Sequence, residues 1–127
     1  MTVKYPVLAL TPGYTYELVR CTPNILSSNI NNWNPNDPTT FVLWVDCDVL
    51  RLTTNASRTI TGFVASPLRP RKRIFNIGSN DFVLSHQDAL SLAANRINTK
   101  TGASVTISGG GCVDLEYDPI STFWRQV

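Results

Sequence analysis

The chain has 127 residues, 43% of them hydrophobic and only 16% charged, with a net charge of +2. That length suits one domain around one core, the apolar content excludes a disordered chain, and the near balance of charge gives no ground for a nucleic-acid or membrane surface. A charged fraction below the roughly 25% of ordinary soluble domains implies that partners cover part of the surface.

No apolar run approaches the ~20 residues that span a bilayer, and "MTVKYPVLAL" lacks an apolar region followed by a cleavage site, so a soluble chain that is not exported is expected. "YPVLAL" leads into the turn dipeptide Pro12-Gly13, and "YTYELVRC" alternates with Tyr14, Tyr16 and Leu18 on one side. Residues 22–40 then carry six asparagines and three prolines. Such a loop is either functional or tied down by a neighbour; Ile25, Ile30 and Trp33 are its candidate anchors, either on the domain's own core or on another protein. The three cysteines, Cys21, Cys47 and Cys112, are too far apart for a metal knuckle and odd in number, which suits buried free thiols, with a single disulfide as the alternative.

"FVLWVDCDVLRL", residues 41–52, is the strongest strand by pattern: Phe41, Leu43, Val45, Cys47 and Val49 share one face at period two. Asp46 and Asp48 fall on the other face among apolar neighbours and need charged partners, for which Arg51, Arg58, Arg96 and Arg125 are candidates. "RTITGFVAS" follows as a strand weakened by Gly62, and "PLRPRKR" reads as a proline-broken basic connection. "RIFNIG", a turn at "SND" and "FVLSH" suggest a hairpin.

"SHQDALSLAANRI" holds the only histidine. Ser85, His86 and Asp88 are neighbours without a nucleophile elbow, and adjacent strand residues diverge, so a structural histidine is expected rather than a catalytic one. Ser85 and Asp88 match a capping box, which gives one or two helical turns. Val105 and Ile107, then Val113, Leu115 and Tyr117, alternate on either side of a triple glycine. Asp114, Glu116 and Asp118 are then the solvent face of a strand, though their spacing also suits acid/base or calcium chemistry. Short strands between Gly, Asn and Pro turns indicate an all-β fold, an antiparallel β-sandwich or jelly-roll. It comprises an N-terminal segment with an Asn/Pro arm or loop (1–40) and a β-sandwich module (41–127).

From Arg73 onward the pattern is familiar. Ile74, Phe75, Asn76 and Gly78, then "SLAANRI" with Leu92, Asn95, Arg96 and Ile97, then Thr101-Gly102, then Val113, Leu115, Tyr117 and Asp118, and finally Trp124 and Arg125 resemble a C-terminal β-module of tailed-bacteriophage virion proteins. That module occurs in fibres, spikes and head decorations. The likeness covers residues 73–127, with Phe123 and Gln126 departing from the usual arginine and apolar residue. It implies a virion structural protein, commonly a homotrimer, with no catalytic residues, cofactor or metal. "SLAANRI" becomes a packing corner with Leu92 and Ile97 inward and Asn95 satisfying turn backbone groups. The expectation is a capsid decoration (cement) protein on the outer surface of the virion, with the major capsid protein as partner and neither nucleic acid nor membrane bound. A tail fibre, spike or adaptor contacting a host receptor is the alternative. Contact residues are then Tyr5 and Leu8, the loop anchors Ile25, Ile30 and Trp33, and the basic run of Arg69, Arg71, Lys72 and Arg73, facing acidic capsid surface.

Overall fold

Strict alternation of side chains makes the longest strand. In the computed structural model, which describes residues 17–127, β8 (Cys112–Asp118) buries Val113, Leu115 and Tyr117 and turns Asp114, Glu116 and Asp118 outward. It anchors a six-stranded sheet that also holds β1 (Arg20–Cys21), β2 (Val49–Leu52), β4 (Arg71–Asn76), β6 (Ile97–Asn98) and β9 (Phe123–Gln126), in the order β1-β2-β4-β8-β9-β6. A second sheet of three strands has the order β3-β5-β7, from β3 (Arg58–Ile60), β5 (Phe82–Leu84) and β7 (Val105–Ile107). The chain is therefore all-β, as its turn-rich pattern leads one to expect.

Pairing is mixed, not uniformly antiparallel. Arg20 lies beside Val49, Val49 beside Arg73 and Arg58 beside Phe82, all in parallel register, and β6 runs parallel to β9. Single bridges extend the first alignment, with Leu26 beside Thr54, Ile30 beside Ile60 and Trp33 beside Phe63. The chain thus makes three parallel passes, over residues 20–33, 49–63 and 71–84. A return pass, β7 then β8, runs antiparallel to β5 and β4, and β9 folds back on β8. The expected hairpin of "RIFNIG" with "FVLSH" does not form, because β4 and β5 belong to different sheets. Asn76 manages the crossing: its buried amide donates to the carbonyls of Asn80 and Ile107 (2.8 and 3.0 Å) and its Oδ1 accepts the Gly78 amide.

Residues 41–52 are not one strand. Asn36 Oδ1 accepts the Trp44 amide at 2.8 Å, and a single 3-10 turn follows over Trp44–Asp46. The turn brings Trp44 and Cys47, three apart, to the same side, where both are fully buried, while Phe41 and Leu43 are exposed. Only Val49–Leu52 pairs in the sheet.

Aromatic rings fill the core. Trp33 stacks on Phe63 at 5.9 Å, Phe63 on Trp44 at 4.9 Å, Trp44 meets Trp124 at 5.6 Å, and Trp124 meets Tyr117 edge-on at 5.2 Å. Each central indole N–H finds a carbonyl: Trp44 Nε1 donates to Val64 and Trp124 Nε1 to Phe63, at 2.8 and 3.0 Å. Aromatic groups buried with their polar ends satisfied contribute both area and geometry.

The corner at residues 85–97 closes this core. Ser85 Oγ donates to Asp88, whose other oxygen accepts the Leu90 amide, and a 3-10 turn spans Ala93–Asn95. Asn95 accepts the Ala65 amide on its side chain and the Phe63 amide on its backbone carbonyl, and donates to Asn32 Oδ1. Asn32 Oδ1 also accepts the Leu92 amide at 2.7 Å. Asn95 and Ile97 therefore hold the places expected of them. Leu92 does not: it sits at the N-terminal end of the turn and stays two-thirds exposed. Gly62 lies under this corner, where a Cβ would come within 2.4 Å of the Asn95 carbonyl and 2.6 Å of Ser91 Oγ. Gly62→Ala is expected to lower stability by about 1–3 kcal/mol, read as a fall in the urea midpoint; an unchanged midpoint would mean that the corner yields freely.

Candidate functional site

Three of the four basic residues, Arg71, Lys72 and Arg73, sit at the start of β4, while Arg69 lies in the connection just before it. Period two sends Arg71, Arg73 and Phe75 to the outer face of the sheet and Lys72, Ile74 and Asn76 inward. A groove of about 510 Å³ runs along its outer side, floored by Leu18, Val49, Pro70, Leu115 and Val127. Each rim arginine has an internal partner. Arg73 makes a two-pronged contact with Asp114 at 2.7 and 2.9 Å, and Arg71 reaches Glu116 at 3.1 Å. Arg69 pairs with Asp48 at 3.3 Å and donates to the Asp46 carbonyl at 3.0 Å. The guanidinium of Arg73 holds the Asp114 carboxyl below its ordinary range. Further along the same face Arg125 bonds Asp118, which Ser121, Arg125 and the Ile120 amide together hold well below the ordinary carboxylate range.

Asp48 is thus partnered by Arg69 and by the Val19 amide at 2.7 Å, not by Arg51, Arg58, Arg96 or Arg125. The reason is topological: the connection between the second and third passes brings Arg69 past the entry to β2, where Asp48 accepts the Arg73 amide on its carbonyl.

Lys72 is the largest departure from the expected docking role. Its side chain is 2% exposed, its ammonium donates to the carbonyls of Trp44 and Cys47 at 2.7 and 2.6 Å, and it stands 4.6 Å from the Trp44 ring centre. A residue in this position cannot touch a partner. Burial lowers its pKa from 10.5 to about 8. Beside it lie two buried thiols. Cys21 Sγ donates to Cys47 Sγ at 2.8 Å, and Cys47 Sγ reaches the Val49 carbonyl at 3.1 Å. The bond to Cys47 and burial push the Cys21 thiol well up, while the same bond and the nearby Lys72 charge bring Cys47 down. Nothing in the spacing of Cys21, Cys47 and Lys72 along the chain announces this cluster, although the phase of Lys72 with Ile74 and Asn76 is a legible sign that it turns inward.

The loop anchors divide. Trp33 belongs to the aromatic core and Ile30 packs against it, whereas Ile25 is exposed. The expected N-terminal contacts Tyr5 and Leu8 lie outside the described residues. The loop itself is pinned by Asp37, whose carboxylate accepts the amides of Thr22, Thr39 and Thr40 at 2.9, 2.8 and 3.0 Å. These bonds lower its pKa from 3.8 to about 2. A carboxyl lowered in the folded state stabilises above its unfolded value and loses that contribution as pH falls through the folded one. Asp37→Asn should therefore flatten the part of the acid-unfolding profile between about pH 4 and 2, measured by circular dichroism against the parent chain; an identical profile would show that the loop does not depend on this carboxylate.

The remaining residues of the familiar pattern are structural. Tyr117 and Trp124 are core, Arg125 pairs with Asp118, Arg96 Nε donates to the Ser91 carbonyl, and Gly102 turns with φ +73. Gly78 packs over Thr53, and Phe75 stays partly exposed on the outer face beside Cys112. His86 Nδ1 accepts the Thr99 amide at 3.1 Å, which ties the imidazole to a turn. Comparison with protein-family models, curated proteins and solved structures returns no match to this chain.

Proposed function

We propose that this is a structural, surface-binding protein of a bacteriophage virion, specifically a decoration protein that docks as a trimer on the major capsid protein and stabilises the assembled shell. The observation that carries the reading is Phe41. Its side chain is 81% exposed and its backbone sits at φ 62, a region costing a bulky residue on the order of 1–3 kcal/mol. The conformation closes a turn in which the Phe41 amide donates to the Asp37 carbonyl at 2.9 Å, and the ring that this turn holds in water gains burial only when a partner covers it. Leu68 and Ile120, 84% and 91% exposed, extend the same logic to other loop tips, in keeping with a sparsely charged surface made to be covered.

The resemblance to the phage module supports the reading, because the residues that carry it knit the core and the corner. The same reading takes the two sheets as the faces of a sandwich around the aromatic stack. A protein that binds only the assembled lattice lowers the free energy of that state by mass action. Copy number per purified particle, by quantitative mass spectrometry against the major capsid protein, tests it. A count comparable to the shell protein is expected; a few trimers per particle would move the chain to the tail, and absence from particles would end the proposal. Phe41→Ser should weaken binding to undecorated shells at least tenfold without lowering the melting temperature.

A further inference from the structure

We propose that Cys21 and Cys47 form a dithiol–disulfide pair, a covalent modification site at which two-electron oxidation by a small-molecule disulfide ties the first pass of the chain to the second. The sulfurs lie 2.8 Å apart, so sub-ångström movements of two side chains reach the ~2.05 Å of an S–S bond. Both are shielded, at 1% and 0% exposure. The third cysteine, Cys112, is exposed on the outer face of β8 opposite Phe75 and takes no part.

The surroundings supply the asymmetry that thiol–disulfide exchange uses, one sulfur to attack and one to resolve. Cys21 is the hydrogen-bond donor and Cys47 the acceptor, and the Lys72 ammonium is held on the Cys47 carbonyl at 2.6 Å. Cys47, beside the Lys72 charge, is therefore the sulfur that gives up its proton more readily. Access comes through β1, which has two residues and lies at the edge of the six-stranded sheet; peeling it away uncovers both sulfurs, and short edge elements open at low cost.

In the opened state Cys47 gives up its proton and the resulting thiolate attacks one sulfur of oxidised glutathione, forming a mixed disulfide and expelling one glutathione thiolate that takes up a proton. Cys21 then gives up its proton and attacks Cys47 Sγ, and the second glutathione thiolate leaves. Two protein thiols are oxidised to one disulfide, one glutathione disulfide is reduced to two thiols, and the two protein protons end on them. Closing the loop between residues 21 and 47 restricts the unfolded chain, which should raise the melting temperature by about 10 °C.

The test equilibrates the full chain with oxidised glutathione or with dithiothreitol, then measures intact mass, alkylation of thiols after denaturation and melting temperature. Expected in the oxidised sample are a loss of two hydrogens, a single alkylatable thiol mapped to Cys112, and the higher melting point. Cys21→Ser and Cys47→Ser should each abolish the redox-dependent shift, whereas Cys112→Ser should keep it. Three alkylatable thiols, a lasting glutathione adduct without ring closure, or a bond involving Cys112 would overturn the proposal. Because mapping of the unmutated chain decides this, poor folding of a serine variant does not.

Discussion

Trp44→Ala should cost about 3–5 kcal/mol, the largest single effect expected in this chain. Trp44 is fully buried at the centre of the aromatic stack, touching Phe63 and Trp124 at 4.9 and 5.6 Å and lying under the Lys72 ammonium. Truncation opens a cavity on three sides and takes the indole N–H away from the Val64 carbonyl, an acceptor whose loss of a buried partner adds about 1 kcal/mol or more. Domains of this size have only about 5–15 kcal/mol in hand. The variant should therefore unfold at a much lower urea concentration than the parent and lose most of its near-ultraviolet circular dichroism. Trp44→Phe, which keeps a ring but not the hydrogen bond, should fall between them. A shift of less than about 1 kcal/mol for the alanine variant would show that the stack closes over the gap and that the core is not organised around this residue.

Lys72→Met should remove a pH dependence instead of simply lowering stability. The folded chain releases the Lys72 proton near pH 8, while the unfolded chain holds it to about 10.5. Across that window the unfolded state binds more protons, so raising the pH favours folding. A displacement of this size corresponds to about 3 kcal/mol gained between pH 8 and 10.5 and lost again as pH falls through 8. The titratable and charged groups that face the amine, Cys47, Asp48, Cys21 and Arg69, remain in the variant, so the difference between the profiles reports the lysine together with its coupling to Cys47. At neutral pH the methionine relieves the buried charge but leaves the Cys47 carbonyl without its 2.6 Å donor, and the two effects oppose each other. Urea midpoints of both proteins with thiols kept reduced, at half-unit pH steps, provide the check. Parallel profiles would mean that the ammonium is as comfortable on its carbonyls as in water.

The strands that alternate cleanly were legible. Val113, Leu115 and Tyr117 against Asp114, Glu116 and Asp118 forecast β8, because one residue in two must face the core when only one side is covered. The two carbonyl-seeking indoles and the parallel passes were not. Parallel partners leave no local mark: Ile30 and Trp33 lie in an Asn/Pro-rich stretch that reads as loop, yet their neighbours Ile60 and Phe63 belong to the next pass. Phe41 to Leu52 misled through period two, since a 3-10 turn placed Trp44 with Cys47 and broke the alternation that apolar content alone suggested. The basic run misled through composition. Four positive charges in residues 69–73 suggest a solvated patch, but strand phase puts Lys72 in the core, β8 supplies carboxylates for Arg71 and Arg73, and Asp48 pairs Arg69.

The parallel winding also makes folding a problem of order. Among the named strands only β8 and β9 pair across a tight local turn, while β1, β2 and β4, like β3 and β5, each wait for a partner one full pass away. Distant pairings cost loop-closure entropy before they return any contact, which places such chains among the slow folders, in milliseconds to seconds. The last pairing to become available brings Trp124 against Trp44 and Phe63. During synthesis the apolar faces of the earlier passes therefore stay wet until β9 emerges, and the chain is at its stickiest just before Trp124 docks.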